Sequence, residues 1–121
     1  MAQHNRKGQQ AEALACKHLQ AQGLNLVARN FNVRQGEIDL IMREGETTVF
    51  VEVRYRRRST FGSGAESIDR NKQRRLIQAA ARYLQQHPKL AKHPSRFDVV
   101  AISNDGDAPD IQWIKNAFMA E

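Results

Sequence analysis

Two periods of hydrophobic spacing run along this chain. In the first segment Gly8, Glu12, Ala15, Cys16, Leu19 and Gly23 follow one another at spacings of three and four. That spacing, in a stretch rich in Ala, Gln, Leu and Lys, predicts a helix over Gln3 to Gln22, stopped by Gly23. Strand signals follow. Leu24 to Val33 reads as one strand, and Glu37 to Arg43 alternates with Ile38, Leu40 and Met42 on one side. Glu44-Gly45-Glu46 reads as a hairpin turn into Thr47 to Tyr55, where Val49, Val51 and Val53 oppose Phe50, Glu52 and Arg54. A loop rich in Arg, Ser and Gly leads to Ser67, the expected N-cap of a long helix that ends near His87, with Pro88 helping to stop it. Its apolar stripe is Ile68, Lys72, Leu76, Ala80 and Tyr83, interrupted by Lys72. Arg96 to Ser103 is a near-continuous apolar strand of the kind found inside a sheet. Ile111 to Lys115 is expected as a last short strand before a frayed end. The order αβββαββ predicts one α/β domain over residues 1–121, a mixed β-sheet flanked by helices.

Composition narrows the class. A length of 121 residues with 40% apolar residues fits a single folded domain. The longest aliphatic run, Val99 to Ile102, is far shorter than a membrane span, and the polar N-terminus has no apolar signal segment. The lone Cys16 excludes an internal disulfide and a thiolate zinc site, and suits the cytoplasm. Cys16 itself reads as a small core residue.

The net charge of +6 is local rather than general. From Arg54 to Arg75 there are eight basic residues against Glu66 and Asp69, while the rest of the chain is balanced. Such a patch is expected of a polyanion-binding surface, with Arg56, Arg57, Arg58, Arg70, Arg74 and Arg75 as candidate phosphate contacts. A solvated Arg-rich loop followed by a helix face is the plainer explanation. A membrane-surface role lacks the apolar face it needs.

The candidate chemistry lies in inward-facing acids. Pairing through the Glu44–Glu46 turn aligns residues whose numbers sum to about 91, which sets Asp39 opposite Glu52. Two facing carboxylates repel unless something positive lies between them, and a divalent cation such as Mg²⁺ or Mn²⁺ suits hard oxygen donors. Solvent exposure, or pairing with Arg54 and Lys72, answers the same pattern. Glu12 sits on the packed stripe of the first helix and needs a cation, an arginine or water. Lys72 either snorkels from its stripe or serves the acids. Together Glu12, Asp39, Glu52 and Lys72 are expected at one edge of the sheet.

GEIDLI, followed thirteen residues after Asp39 by Glu52-Val53-Arg54, resembles the YraN family of small bacterial proteins. The Gly8…Glu12 helix, Phe61-Gly62, Asp69…Lys72, Ala80 to Leu84 and Arg96-Phe97-Asp98-Val99-Val100 extend the resemblance over nearly the whole chain. It implies a restriction-endonuclease-like fold, similar to archaeal Holliday-junction resolvases. The signature of that superfamily is Asp, a spacer, then Glu-x-Lys, with a further helix Glu in resolvase-like members. On that pattern Asp39 and Glu52 are metal ligands, the Val53 carbonyl is a candidate third, and Glu12 reaches the metal through water. The sequence departs at Arg54, where the pattern has lysine. A guanidinium stays charged and cannot act as a base, so either Arg54 orients water and offsets phosphate charge, or Lys72 supplies the ammonium from the helix, or the site only binds.

These readings predict a Mg²⁺- or Mn²⁺-dependent deoxyribonuclease acting on branched or single-stranded DNA. The alternatives are a non-catalytic nucleic-acid-binding protein on the same fold, and an interaction protein whose basic loop grips an acidic partner or RNA. Resolvases of this fold usually work as dimers, so a homodimer is expected by resemblance. Tyr55 and Phe61 are read as core or hinge residues before base-stacking ones. His4, His18, His87 and His93 have no ligand spacing, and Asp105-Gly106-Asp107 reads as a turn. Arg96 and Asp98 share a strand face as a structural pair, and Trp113 is read as core or as a dimer contact.

Overall fold

The computed structural model describes residues 6–56, 68–104 and 108–120. Helix α1 (Arg6–Ala21) leads into a meander of β1 (Asn25–Val33), β2 (Gly36–Glu44) and β3 (Thr47–Arg56). Helix α2 (Arg70–Gln86) and the single turn α3 (Pro88–Ala91) cross over to β4 (Ser95–Asn104) and β5 (Pro109–Phe118). The five strands form one mixed sheet in the order β1-β2-β3-β4-β5, antiparallel except for the parallel β3–β4 pair. This is the α/β architecture read from the sequence, consistent with a restriction-endonuclease-like fold.

Local chemistry sets the element ends. Gly23, at φ 101°, closes α1 with a Schellman motif in which Leu24 N–H donates to Leu19 C=O and Gly23 N–H to Gln20 C=O. Gly45 supplies the φ of 62° needed at the first central position of the two-residue β2–β3 turn. Two expectations are corrected here. The N-cap of α2 is Asp69, whose carboxylate accepts the Lys72 N–H at 2.8 Å; Ser67 lies outside the described residues. The last strand is not a short one with a frayed end, because β5 continues to Phe118, whose ring stacks on Phe97 with centroids 4.9 Å apart.

The core has two halves, one on each face of the sheet. Ala11, Ala15, Cys16 and Leu19 of α1 pack on Leu40, Met42, Val49, Val51, Val100 and Ile102. Leu76, Ala79, Ala80 and Tyr83 of α2 pack on Ile38, Ile41, Phe50 and Phe97. The expected common face for Ile38, Leu40 and Met42 is therefore wrong: Ile38 faces α2 and the other two face α1. Alternation slips at the same level in both strands, for Ala28 and Phe31 of β1 also share the α2 face. Asn30, at φ 51°, lies between the rungs Arg29–Leu40 and Phe31–Ile38 and thus across from Asp39. Asparagine tolerates this left-handed conformation better than most side chains, so the matched kink is affordable here.

At the far edge Asp98 is only 1% exposed, and its carboxylate is fully engaged. It accepts Arg96 Nε at 3.0 Å, Trp113 Nε1 at 3.0 Å and the Asn116 N–H at 2.9 Å, while Arg96 Nη1 also reaches Glu44 at 2.7 Å. The Arg96–Asp98 pair is structural, as expected.

Candidate active site

Strands β2 and β3 pair from Glu44–Thr47 to Leu40–Val51, the register read from the turn. Beyond that rung the carboxylate of Asp39 turns toward β3 and accepts the Val53 N–H at 2.8 Å. Glu52, one residue earlier on β3, is 4% exposed and stands beside it on the face covered by α2. The two carboxyl groups stand close enough that each acts on the other's ionisation. Burial is the main force on both. It raises the pKa of Asp39 against the opposing pull of the Val53 N–H and Lys72. It pushes Glu52 up to about 7, with the charge of Asp39 adding to the rise.

Two cations lean on this pair. Lys72 Nζ and Arg54 Nη1 each lie 3.6 Å from Glu52 Oε2, Lys72 from the first turn of α2 and Arg54 from the same strand face. Both are ion pairs rather than short hydrogen bonds. The other oxygen, Glu52 Oε1, is buried with no hydrogen-bond partner. An acceptor left bare in a protein interior is costly unless something absent from this structure, such as water or a cation, satisfies it. Hard oxygens from Asp39 and Glu52, one of them unsatisfied, fit a Mg²⁺ or Mn²⁺ ion in donor chemistry. Among the described residues no group of three or more His, Cys, Asp and Glu side chains could hold a metal, so this centre offers a pair.

Asp39, Glu52, Arg54 and Lys72 thus come together. Glu12 is buried at 7% exposure on α1, in the layer opposite α2. Arg70, Arg74 and Arg75 are exposed on α2, with Arg74 Nη1 held 3.0 Å from Asn71 Oδ1. The backbone of Arg56 ends β3; Arg57, Arg58 and Phe61 lie outside the described residues, as do His4 and the Asp105–Asp107 turn. Tyr55 packs against the α1-side core and Cys16 is buried within it. Sequence reading missed the Val53 N–H and the Asn30 kink. A lone asparagine inside the otherwise strand-like Leu24–Val33 was the available sign of the kink.

Fold and site together define a class: a three-layer α/β protein with a carboxylate pair, one member buried and one half-buried, and a lysine at the edge of a β-hairpin. The chain belongs to the family described as Uncharacterised protein family UPF0102, whose model matches residues 11–102; this is the YraN family of the resemblance. It is 53% identical over 118 residues to a UPF0102 protein of Stutzerimonas stutzeri, with 98% of each chain covered. Similarity to a UPF0102 protein of Nitrosococcus oceani is 52% over 120 residues, covering 99% of this chain and 97% of that one. A Pseudomonas aeruginosa relative, UPF0102 protein PA4424, is 52% identical over 116 residues, covering 94% and 93%. Among the described residues no helix is long and apolar enough to cross a membrane.

Proposed function

We propose that this protein is a metal-dependent phosphodiesterase acting on DNA, with branched or single-stranded structures as the expected substrates. The observation that carries this reading is the pairing of the half-buried Asp39 with the buried Glu52, with Oε1 of Glu52 unsatisfied and Lys72 at 3.6 Å. Asp39 and Glu52 are the direct donors for Mg²⁺ or Mn²⁺, with the buried Glu12 of α1 reaching the ion through water. When bound, such an ion lowers the pKa of water and neutralises charge on a phosphate oxygen. The Val53 N–H holds the Asp39 carboxylate in one orientation. Lys72 Nζ offsets the negative charge that builds on the phosphoryl oxygens as water adds to phosphorus and the ester oxygen leaves with a proton. Arg54 adds a second fixed positive charge on the same side, which partly answers the loss of the pattern's lysine.

A second reading has its own observation. Lys72 and Arg54 already bracket Glu52 Oε2, so the acids are partly neutralised without a metal, as in a binding module that has lost its chemistry. Cleavage of labelled junction, flap and single-stranded DNA with Mn²⁺ separates the two. The phosphodiesterase reading expects cutting by the wild type that chelator and Asp39→Ala abolish. Identical behaviour of wild type and Asp39→Ala on every substrate rejects it. Retention of DNA without cutting, unchanged by metal, supports the binding module.

A further inference from the structure

A groove runs between the β1–β2 turn and the outer face of α2. It opens as a recess of about 260 Å³ lined by Arg34, Gly36, Glu37 and Arg75, among others. It continues past Arg34 and Gln35 into two recesses of about 430 Å³ each, both bordered by Arg82 and by exposed glutamines of α2. Arg34, Arg75 and Arg82 are all exposed, and among the described residues Glu37 is the one acid on the groove wall. Glu37 also ties the groove to the carboxylate pair, since it lies on β2 two residues before Asp39.

Spacing on the helix gives the groove a direction. Lys72 reaches Glu52, Arg75 follows three residues later, and Arg82 lies seven residues beyond Arg75. Seven residues are two helical turns, so Arg75 and Arg82 point the same way about 10.5 Å apart along the axis. That interval is too long for both arginines to hold one phosphate and suits two different phosphates of the same strand. The opposite wall is fixed at Gly36, where a Cβ would lie 2.5 Å from the Arg75 carbonyl oxygen. Only a residue without a side chain lets the turn lie this close to α2, and that contact sets where Arg34 stands relative to Arg82. Between the arginines the walls carry neutral amides, which donate to phosphate without repelling it.

We infer that this groove seats the phosphate backbone of a nucleic-acid strand running away from the Asp39–Glu52 pair, with Arg75 nearest the pair and Arg34 and Arg82 on phosphates further along. The direction of the track rests on the phosphodiesterase reading; the binding does not. Contacts of this kind position a strand and carry no base code.

The test is fluorescence anisotropy of fluorescein-labelled single-stranded and duplex oligonucleotides in EDTA, across a salt series. The probe set is wild type, the double variant R34Q/R82Q, and a control, K89Q/K92Q, that removes equal charge from exposed positions on and beside α3. The expected result is roughly tenfold weaker binding by R34Q/R82Q and a salt slope reduced by about two, with a smaller loss in the control. Equal losses in the two double variants overturn the inference, as does a wild type that binds no oligonucleotide. Equal competition by polyglutamate also overturns it, in favour of an acidic protein partner. Because EDTA removes metal chemistry, the outcome is independent of cleavage. If Asp39→Asn cuts DNA as well as wild type, the phosphodiesterase reading fails alone; if R34Q/R82Q binds and cuts as wild type, the groove fails alone.

Discussion

The carboxylate of Asp39 on β2 accepts the backbone N–H of Val53 on β3 at 2.8 Å, beyond the last rung of their ladder at Leu40–Val51. A side chain thus does what a backbone carbonyl does elsewhere in the hairpin. This bond separates the fold role of Asp39 from its charge. Asp39→Asn keeps an acceptor and is expected to leave the melting temperature of the metal-free protein unchanged or higher. Asp39→Ala strands a buried donor at a cost of about 1–3 kcal/mol. In a thermal-shift titration, Mn²⁺ should raise the melting temperature of wild type and of neither variant.

The pH dependence of stability follows from Glu52. Its ordinary pKa of 4.5 rises to about 7 in the folded chain. Between those values the unfolded chain has released the proton that the native state still holds, so stability falls as pH rises through this window and levels off above it. Asp39, raised by the same burial, acts in the same direction. Denaturant titration should find the metal-free protein more stable at pH 5 than at pH 8 by on the order of 1–3 kcal/mol from this pair. Glu52→Gln should flatten the difference.

Lys72 and Arg54 share one oxygen of Glu52 at equal distance, yet they are not equivalent. The ammonium is a compact point charge carried by α2, whereas the guanidinium is a planar fork on the strand. Single-turnover DNA cleavage should fall by roughly a hundredfold in Lys72→Met, the scale for removing one transition-state donor. Arg54→Lys, which restores the Glu-x-Lys pattern, should retain or raise the rate.

Asn30 at φ 51° makes the kink opposite Asp39 testable through backbone preference. Asn30→Gly should be near neutral in urea denaturation. Asn30→Val, whose branched side chain resists the left-handed region, should cost about 1–2 kcal/mol and weaken the Mn²⁺ response by letting β1 and β2 straighten.

Asp98 provides the contrast of a buried acid without a catalytic role. Asp98→Ala removes the acceptor of Arg96, Trp113 and the Asn116 N–H together. A loss of about 3–5 kcal/mol in chemical denaturation is expected, with no change in the metal response of the protein that remains folded.

Much of this arrangement was legible because strand period and turn position are local properties. Thr47 to Tyr55 shows both faces in its alternation, and the Gly45 turn sets the rung sum that brings Asp39 to Glu52. The stripe of α2 likewise exposed Lys72 as an anomaly. What was illegible depended on partners distant in sequence. Ile38 and Leu40 read as face-mates until the left-handed Asn30 showed that alternation breaks between them. Glu12 reads as inward-facing, and it is buried; which side of the sheet each helix covers shows only in three dimensions. Arg34 and Arg82 look like an ordinary turn residue and an ordinary helix-surface residue until Gly36 brings their elements into contact. The extent of β5 was lost because Pro109 and Asp110 read as loop and Asn116 interrupts the pattern, whereas Asp98 holds the Asn116 backbone in place.

The meander of β1, β2 and β3 has consequences for the time course of assembly. Neighbouring strands joined by tight turns meet early in folding, while the parallel partner β4 must await closure of the crossover through α2. This topology predicts that Asp39 and Glu52 converge before Lys72 arrives to offset them. On that order their mutual repulsion would oppose folding, and protons would relieve it. Refolding rates should accordingly rise on moderate acidification, and the acceleration should vanish in Glu52→Gln.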